Sequence, residues 1–138
     1  MTDFYRILGK SGSDSILFAH KAALLLDDNM LDDALNLCEL GVKSYTFYAE
    51  GNYVLGRCYQ LFERYDDEKN EFERTLFFAP GHVKALGALA YVYYKKKLKK
   101  MGNRCLLKNA VHEPNNTDLL EYLESQGLYA QLFKSPLV

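Results

Sequence analysis

Residues Ala49–Pro80 read AEGNYVLGRCYQLFERYDDEKNEFERTLFFAP, and their spacing decides the fold. Leu55-Gly56, Tyr59, Phe72 and Pro80 stand where two packed helices and a stop would need them. A shift of 34 residues forward puts Leu55 on Leu89, Gly56 on Ala90, Tyr59 on Tyr93 and Pro80 on Pro114. The same shift backward puts Gly56 on Ala22 and Phe72 on Cys38. Self-similarity at that period marks stacked helical hairpins. Gly56, Ala90 and Ala22 share one phase, and a small residue there lets two helix axes approach to about 8 Å. Tyr59, Tyr93 and Leu25 fall almost one turn later and fill the space beside that contact. Phe72, Leu106 and Cys38 come from the second helix of each pair to meet them. One pair alone leaves an apolar flank bare, so neighbouring pairs must stack to cover it.

The rest of the chain is ordered by that frame. In residues 1–14, Phe4-Tyr5 and Ile7-Leu8 predict a turn or two of helix laid down as a lid, followed by a join at Gly9 and Ser11-Gly12-Ser13. Asp14 or Ser15 is the expected N-cap of a helix over Ile16–Leu26, which is rich in the strong helix formers Ala and Leu. Asp27-Asp28-Asn29 stops it. Met30–Lys43 has helical apolar spacing, with Asp32 and Asp33 in its first turn, where carboxylates complement the helix dipole. Ala49–Phe62 and Asp66–Phe78 form the second pair, ended before Pro80, whose ring and missing amide forbid continuation. Val83–Tyr94 and Met101–His112 form the third, closed by Pro114. Thr117-Asp118 is expected to cap a further helix through Glu124, with a break at Gly127 and a last apolar turn over Leu128–Phe133 before Pro136.

Composition excludes several classes of function. Of 138 residues, 49% are hydrophobic and 25% charged, as in an ordinary globular domain. No apolar run reaches the roughly 20 residues that span a bilayer. The start lacks the basic and apolar regions of a secretory signal, so the cytoplasm is the expected compartment. Cys38, Cys58 and Cys105 form no Cys-x-x-Cys pair and fall among apolar helix residues, which makes them small packing groups. His20, His82 and His112 have no metal-ligand spacing. The run Asp27–Asp33 lacks the mid-loop Gly and terminal Glu of a calcium loop. With no Ser or Cys nucleophile beside a His and no phosphate-cradling Gly loop, no enzyme activity and no cofactor are expected.

Charge is unevenly spread along the chain. Net charge is −3 over residues 15–48 and −3 over 49–82, then +7 over 83–116 and −2 over 117–138. Such asymmetry bears on partners rather than on fold. The run Lys95-Lys96-Lys97-Leu98-Lys99-Lys100 reads as a solvated turn between helices. No aromatic residues interleave with it as a single-strand nucleic-acid binder requires, so nucleic acid is not the expected partner. Acidic and basic ends could also bring copies of the chain together head to tail, a contact that does not close on itself.

Leu55, Gly56, Tyr59, Phe72 and Pro80, with the turn Tyr65-Asp66-Asp67, resemble the tetratricopeptide repeat. The third unit keeps Leu89, Ala90, Tyr93, Leu106 and Pro114. The first keeps Ala22, Leu31, Asp32, Asp33 and Ala34 without a closing Pro. The resemblance covers roughly 15–116. It implies an all-α fold, a right-handed superhelical α-solenoid of stacked antiparallel helix pairs. It also implies one domain over 1–138, with repeats at about 15–48, 49–82 and 83–116 and a capping helix or helices over 117–134. There are departures: Asn52 holds the family's Trp position, Glu68 holds a small-residue position that Ala34 and Gly102 obey, and Lys21 stands in phase with Leu55 and Leu89. Lys21 would either mark a one-residue offset of the first unit or snorkel at the edge.

In this family the first helices of the pairs line a concave groove that holds a peptide or helix of a partner protein. Carried over by phase, the groove residues are Ile16, Ala19, Ala23 and Leu26 from the first unit. The second gives Glu50, Tyr53, Arg57 and Gln60, and the third Lys84, Gly87, Tyr91 and Tyr94 with Lys95 at the rim. Tyr and Arg are common anchors of interfaces, and Gly87 leaves room for a partner. The carboxylate clamp of some members is mostly missing: Lys84 matches it, but Ala19, Ala23, Val54 and Ala88 do not. The resemblance therefore implies an interaction scaffold for a protein or peptide, with an acidic peptide suited to Arg57 and Lys84. A chaperone or assembly factor for a secreted or multi-subunit client is the alternative.

Overall fold

The computed structural model describes residues 16–134. The lid and join expected before Ile16, the Asp14 or Ser15 cap, and Pro136 lie outside the described residues. Seven α-helices and one short 3₁₀ helix follow in order, and no strand occurs among the described residues. They are α1 (Phe18–Asp27), α2 (Leu31–Ser44), α3 (Ala49–Leu61), α4 (Tyr65–Phe78), α5 (Val83–Lys95), α6 (Lys99–His112), α7 (Thr117–Ser125) and the 3₁₀ helix Tyr129–Phe133. The chain is all-α, built of helical hairpins in the manner of an α-solenoid. It falls into two compact units, residues 1–78 and 79–138.

In the first unit α1 pairs with α2 and α3 with α4, while α3 packs on both α1 and α2. Phe18 is the hub of that stacking. It is fully buried, and a Cβ placed on Gly41 of α2 would meet its ring at 2.3 Å, one on Gly51 of α3 at 2.4 Å. Two glycines thus make the slot that the ring fills. Within the second hairpin the expected contact forms: a Cβ on Gly56 would meet the Phe72 ring at 2.6 Å. Ala22, Cys38, Val54, Leu55, Cys58 and Tyr59 complete the core. The Cys38 and Cys58 sulfurs lie 3.9 Å apart as free thiols, and the hydrogen bond between them, then burial, drives the Cys38 thiol far above its ordinary range.

Three hairpin turns repeat in register. Asn29, Glu63 and Lys97 all adopt left-handed backbone, with φ of 61°, 57° and 61°. Each follows a helix that ends in paired bonds from the turn amides, such as Met30 N–H to the Leu25 carbonyl at 2.8 Å and Arg64 N–H to that of Tyr59 at 2.9 Å. These back-bonds satisfy carbonyls that the helix end leaves bare. Because Asn29 and Glu63 stand one period apart, the first hairpin has no one-residue offset. Lys21 therefore occupies the phase of Leu55 and Leu89 itself, and it is half-buried there. Gly127, with φ of 72°, makes the same turn after α7, as its place in the sequence predicts.

The departures from the repeat pattern are taken inside. Asn52 is fully buried where Phe18 stands one period earlier; its amide donates to the Tyr48 carbonyl at 3.2 Å while its Oδ1 has no partner. Glu68 is only 2% exposed. Glu71 is buried beside it in sequence, one Oε bonded to Arg74 at 2.6 Å and the other unpartnered. Burial pushes its carboxyl above the usual range, and Arg74 pulls it partly back. The core face of α4 is thus Glu68, Glu71, Phe72 and Thr75, where α2 presents Ala34, Leu37, Cys38 and Gly41.

The second unit pairs α5 with α6 and closes with α7 and the 3₁₀ helix, both on α6. Leu107, Ala110 and Leu123 form its terminal core, with Leu106, Leu119, Leu128 and Leu132 against them. Several boundaries differ by a residue or two from the sequence reading, and two of them change what a residue does. The cap of α7 is Asn116, whose side chain accepts from the Leu119 amide at 3.1 Å, one residue ahead of the expected Thr117-Asp118. Helix α6 opens at Lys99 rather than Met101, so Lys99 and Lys100 belong to its first turn and not to a loop.

Candidate functional site

Helix α3 carries Glu50, Tyr53, Arg57 and Gln60 at steps of three and four residues, which sets them along one face. The opposite face supplies Val54, Leu55, Cys58 and Tyr59 to the core, so the helix is amphipathic by necessity. Tyr53 is half-buried, its ring tilted against Phe72 with centroids 5.8 Å apart. Burial raises its phenol pKa, opposed by the Arg57 charge and reinforced by Glu50. Glu50 and Arg57 are half-buried and Gln60 is exposed. This face therefore offers one anchored aromatic ring between two opposite charges.

Helix α5 presents Lys84, Gly87, Tyr91 and Lys95 with the same steps. It begins at His82, whose Nδ1 accepts from the Ala85 amide at 3.1 Å. Tyr91 is 55% exposed, and the Lys95 ammonium sits 5.2 Å from its ring centroid. That distance suits a cation–π contact. Lys84 is exposed. A Cβ on Gly87 would meet nothing nearer than the Asn109 amide at 3.6 Å, so the fold does not require glycine there. Tyr94 lies at the seam of α5 and α6: its hydroxyl donates to Asn103, and a Cβ on Gly102 would touch its ring at 2.8 Å. Burial, then the neighbouring Tyr122 phenol, pushes Tyr94 up to about 12.

The residues carried over to α1 divide. Ile16 is 49% exposed just before the helix and Ala23 is half-buried, whereas Ala19 and Leu26 belong to the core. A feature outside the first-helix faces was not read from the sequence. Phe47, in the loop between hairpins, and Phe77, near the end of α4, are 80% and 79% exposed. Both meet Phe78 edge-on, at 5.5 and 5.2 Å between centroids. The Phe77-Phe78 pair was visible in the sequence, but periodicity assigned it to the end of a helix and stopped there.

Among the described residues no three His, Cys, Asp or Glu are grouped to hold a metal ion. No described helix is long and apolar enough to cross a membrane.

No protein-family model matches the sequence, and no curated protein matches it. Solved structures do resemble it. Two crystal structures of MamA, each 17% identical in sequence, superpose with TM-scores of 0.70 and 0.71, over 85% and 88% of this chain and 71% and 69% of theirs. The crystal structure of YrrB, described as a TPR protein with an unusual peptide-binding site, is 22% identical and gives a TM-score of 0.75. That match covers 94% of this chain and 69% of YrrB. The fold is of the tetratricopeptide-repeat type. At these identities the likeness speaks to architecture, and it agrees with the hairpin frame and the in-register turns.

Proposed function

We propose that this chain is a non-enzymatic interaction module that holds a peptide or helix of a partner protein against the first helices of its pairs. In this reading residues 15–116 are three repeats, capped by 117–134. The observation that carries it is the pair of helix faces just described. Tyr53, partly buried against its core, stands with Arg57 on α3, and the exposed Tyr91 stands with Lys84 and Lys95 on α5. Half-exposed Tyr beside a cation combines apolar area with a hydrogen-bonding rim, the composition that dominates binding energy at interfaces. YrrB, with a fold of the same type, has a peptide-binding site, which supports the class of ligand.

The test is affinity capture from native lysate with the unmodified chain, Tyr53→Ala and Tyr91→Ala, followed by identification of what is retained. Each substitution should abolish capture of the same partner while far-UV circular dichroism stays helical. Full capture by both folded variants would remove the proposal.

A further inference from the structure

Helix α6 and the segment that follows α7 enclose a second candidate site, made of other residues than the faces of α3 and α5. An open cleft of about 500 Å³ is lined by Lys100, Arg104, Met101, Leu107, Leu128 and Gln131. Its size falls in the range of ligand pockets, which run from roughly 300 to 1,000 Å³. Lys100 and Arg104 are one helical turn apart on α6, and both are exposed. Neither is ion-paired among the described residues; the ion pairs described involve Arg64, Lys69 and Arg74. From Lys95 to His112 the chain carries seven Lys or Arg and no Asp or Glu. None of the acidic residues of the second unit lines the cleft.

A second, independent observation concerns the helix dipole. The first turn of α2 holds Asp32 and Asp33, and that of α4 holds Asp66, Asp67 and Glu68. One period on, the first turn of α6 holds Lys99 and Lys100 and no acid. Cations at a helix N-terminus oppose the partial positive charge of the free amides. Their placement there does nothing for the helix and leaves a concentrated positive field, which an incoming carboxylate would relieve.

We propose that this cleft binds an acidic peptide segment that carries apolar side chains among its carboxylates. Carboxylates would meet Lys100 and Arg104 in charge-assisted hydrogen bonds. The intervening side chain would cover Met101, which is 45% exposed, and the edges of Leu107 and Leu128. The apolar floor favours such a peptide over a nucleic acid, for which stacking rings would be needed. This site shares no residue with the first-helix faces, so either proposal can fail without the other.

The probe is a short fluorescein-labelled peptide of alternating glutamate and leucine, read by anisotropy against the full chain. Binding should weaken about tenfold in the double variant Lys100→Glu with Arg104→Glu, since two attractions become repulsions. It should weaken as salt rises from about 0.05 M to about 0.5 M, as the Debye length shortens. A glutamate–serine peptide should bind distinctly more weakly, and Tyr53→Ala or Tyr91→Ala should leave binding unchanged. The double variant alters two exposed side chains, one of them in a helix start that prefers acids, so its fold should survive. Undiminished binding by the folded double variant, equal binding of the serine peptide, loss of binding in the tyrosine variants, or displacement of the peptide by an equally charged single-stranded oligonucleotide would each overturn the proposal.

Discussion

The two units share a hairpin frame and fill it differently. Residues 16–78 carry twelve Asp or Glu against six Lys or Arg, whereas residues 79–134 carry four against nine. In the first unit the stacking position is Phe18, seated between Gly41 and Gly51. In the second, the same phase holds Leu86, and the phase of Gly41 holds Asn109, buried with one amide bond to the Val83 carbonyl at 3.4 Å and an unpartnered Oδ1. The first unit also caps its second helices with acids, and the second opens α6 with lysines. The stacking ring and the helix starts run the same way, although the first unit also buries Asn52 and Glu71, each with an unpartnered oxygen. At those two features local stability is favoured in the first unit, and in the second it gives way to exposed cations.

The largest effect expected from this contrast is at Phe18. Truncation to Ala removes the α1 ring that fills the slot against α2 and α3, where Gly41 and Gly51 have no side chain to extend into the space and Tyr45 and Tyr48 lose their ring contacts. Phe18→Ala should cost about 3–5 kcal/mol, the range for large buried aromatics. Leu86→Ala, at the same phase of the second unit, should cost less, about 2–4 kcal/mol within the range for aliphatic truncations. Urea denaturation of both variants decides the matter, and equal losses would mean that the glycine slot adds nothing.

Alkaline pH should reach both units through different tyrosines. Tyr59, which donates to Glu39 at 3.1 Å under the Arg64 guanidinium, is pushed up to about 12, first by burial and then by the Glu39 charge. Tyr94 is pushed equally high by burial and the Tyr122 phenol. A phenol whose pKa is higher folded than unfolded keeps its full contribution below pH 10 and loses it as pH rises from 10 through 12. Thermal melts should therefore hold to about pH 10 and fall beyond it. Tyr59→Phe and Tyr94→Phe should each flatten part of that fall; an unchanged profile in both would remove these phenols from the account.

The next effect concerns the turns. Asn29 tolerates left-handed backbone, but Glu63 and Lys97 do not, and a non-glycine residue there costs roughly 1–2 kcal/mol. Glu63→Gly and Lys97→Gly should each stabilise by about 0.5–1 kcal/mol, because glycine loses more chain entropy on folding and returns part of the gain. Asn29→Gly should change little. A destabilised Glu63→Gly would show that its side chain matters more than its backbone.

These turns also mark the limit of what the residues announce. The hairpins, the Gly56–Phe72 contact and the break at Gly127 were legible, since each rests on a residue type with one strong physical preference. Glu63 and Lys97 have no such preference; the helices on either side impose the conformation, and only the repeat of 34 residues links them to Asn29. The start of α6 was hidden for a related reason. A run of lysines looks like a loop, and nothing local shows that the hairpin frame recruits Lys99 and Lys100 into a helix. On the candidate site, phase alone marks one face of α5, and it does not reveal that Tyr94 is tied to Asn103 or that the cleft beside α6 exists.

Gly87 gives a smaller and sharper comparison. The glycines at 41, 51 and 56 are required by rings that a Cβ would strike, whereas at Gly87 a methyl group makes ordinary contact. Gly87→Ala should therefore stabilise α5 by up to about 1 kcal/mol, the difference in helix propensity. If a partner's backbone passes over this position, the same variant should bind less tightly while melting higher. A variant that melts higher and binds as before would take Gly87 out of the binding face.

The smallest expected effect on stability tests the contrast most directly. Lys100 and Asp66 occupy the same phase in α6 and α4, one opposing the helix dipole and the other complementing it. Lys100→Asp should stabilise the chain by about 0.3–1 kcal/mol, and Asp66→Lys should destabilise it by a similar amount, with both differences shrinking as salt is raised. A stability rise in Lys100→Asp, together with weaker binding of the acidic peptide, would mean that the lysine is kept for its charge toward a ligand at the expense of the helix that carries it. A fall in stability would show instead that Lys100 has a structural partner, and the argument from the helix start would no longer support the cleft.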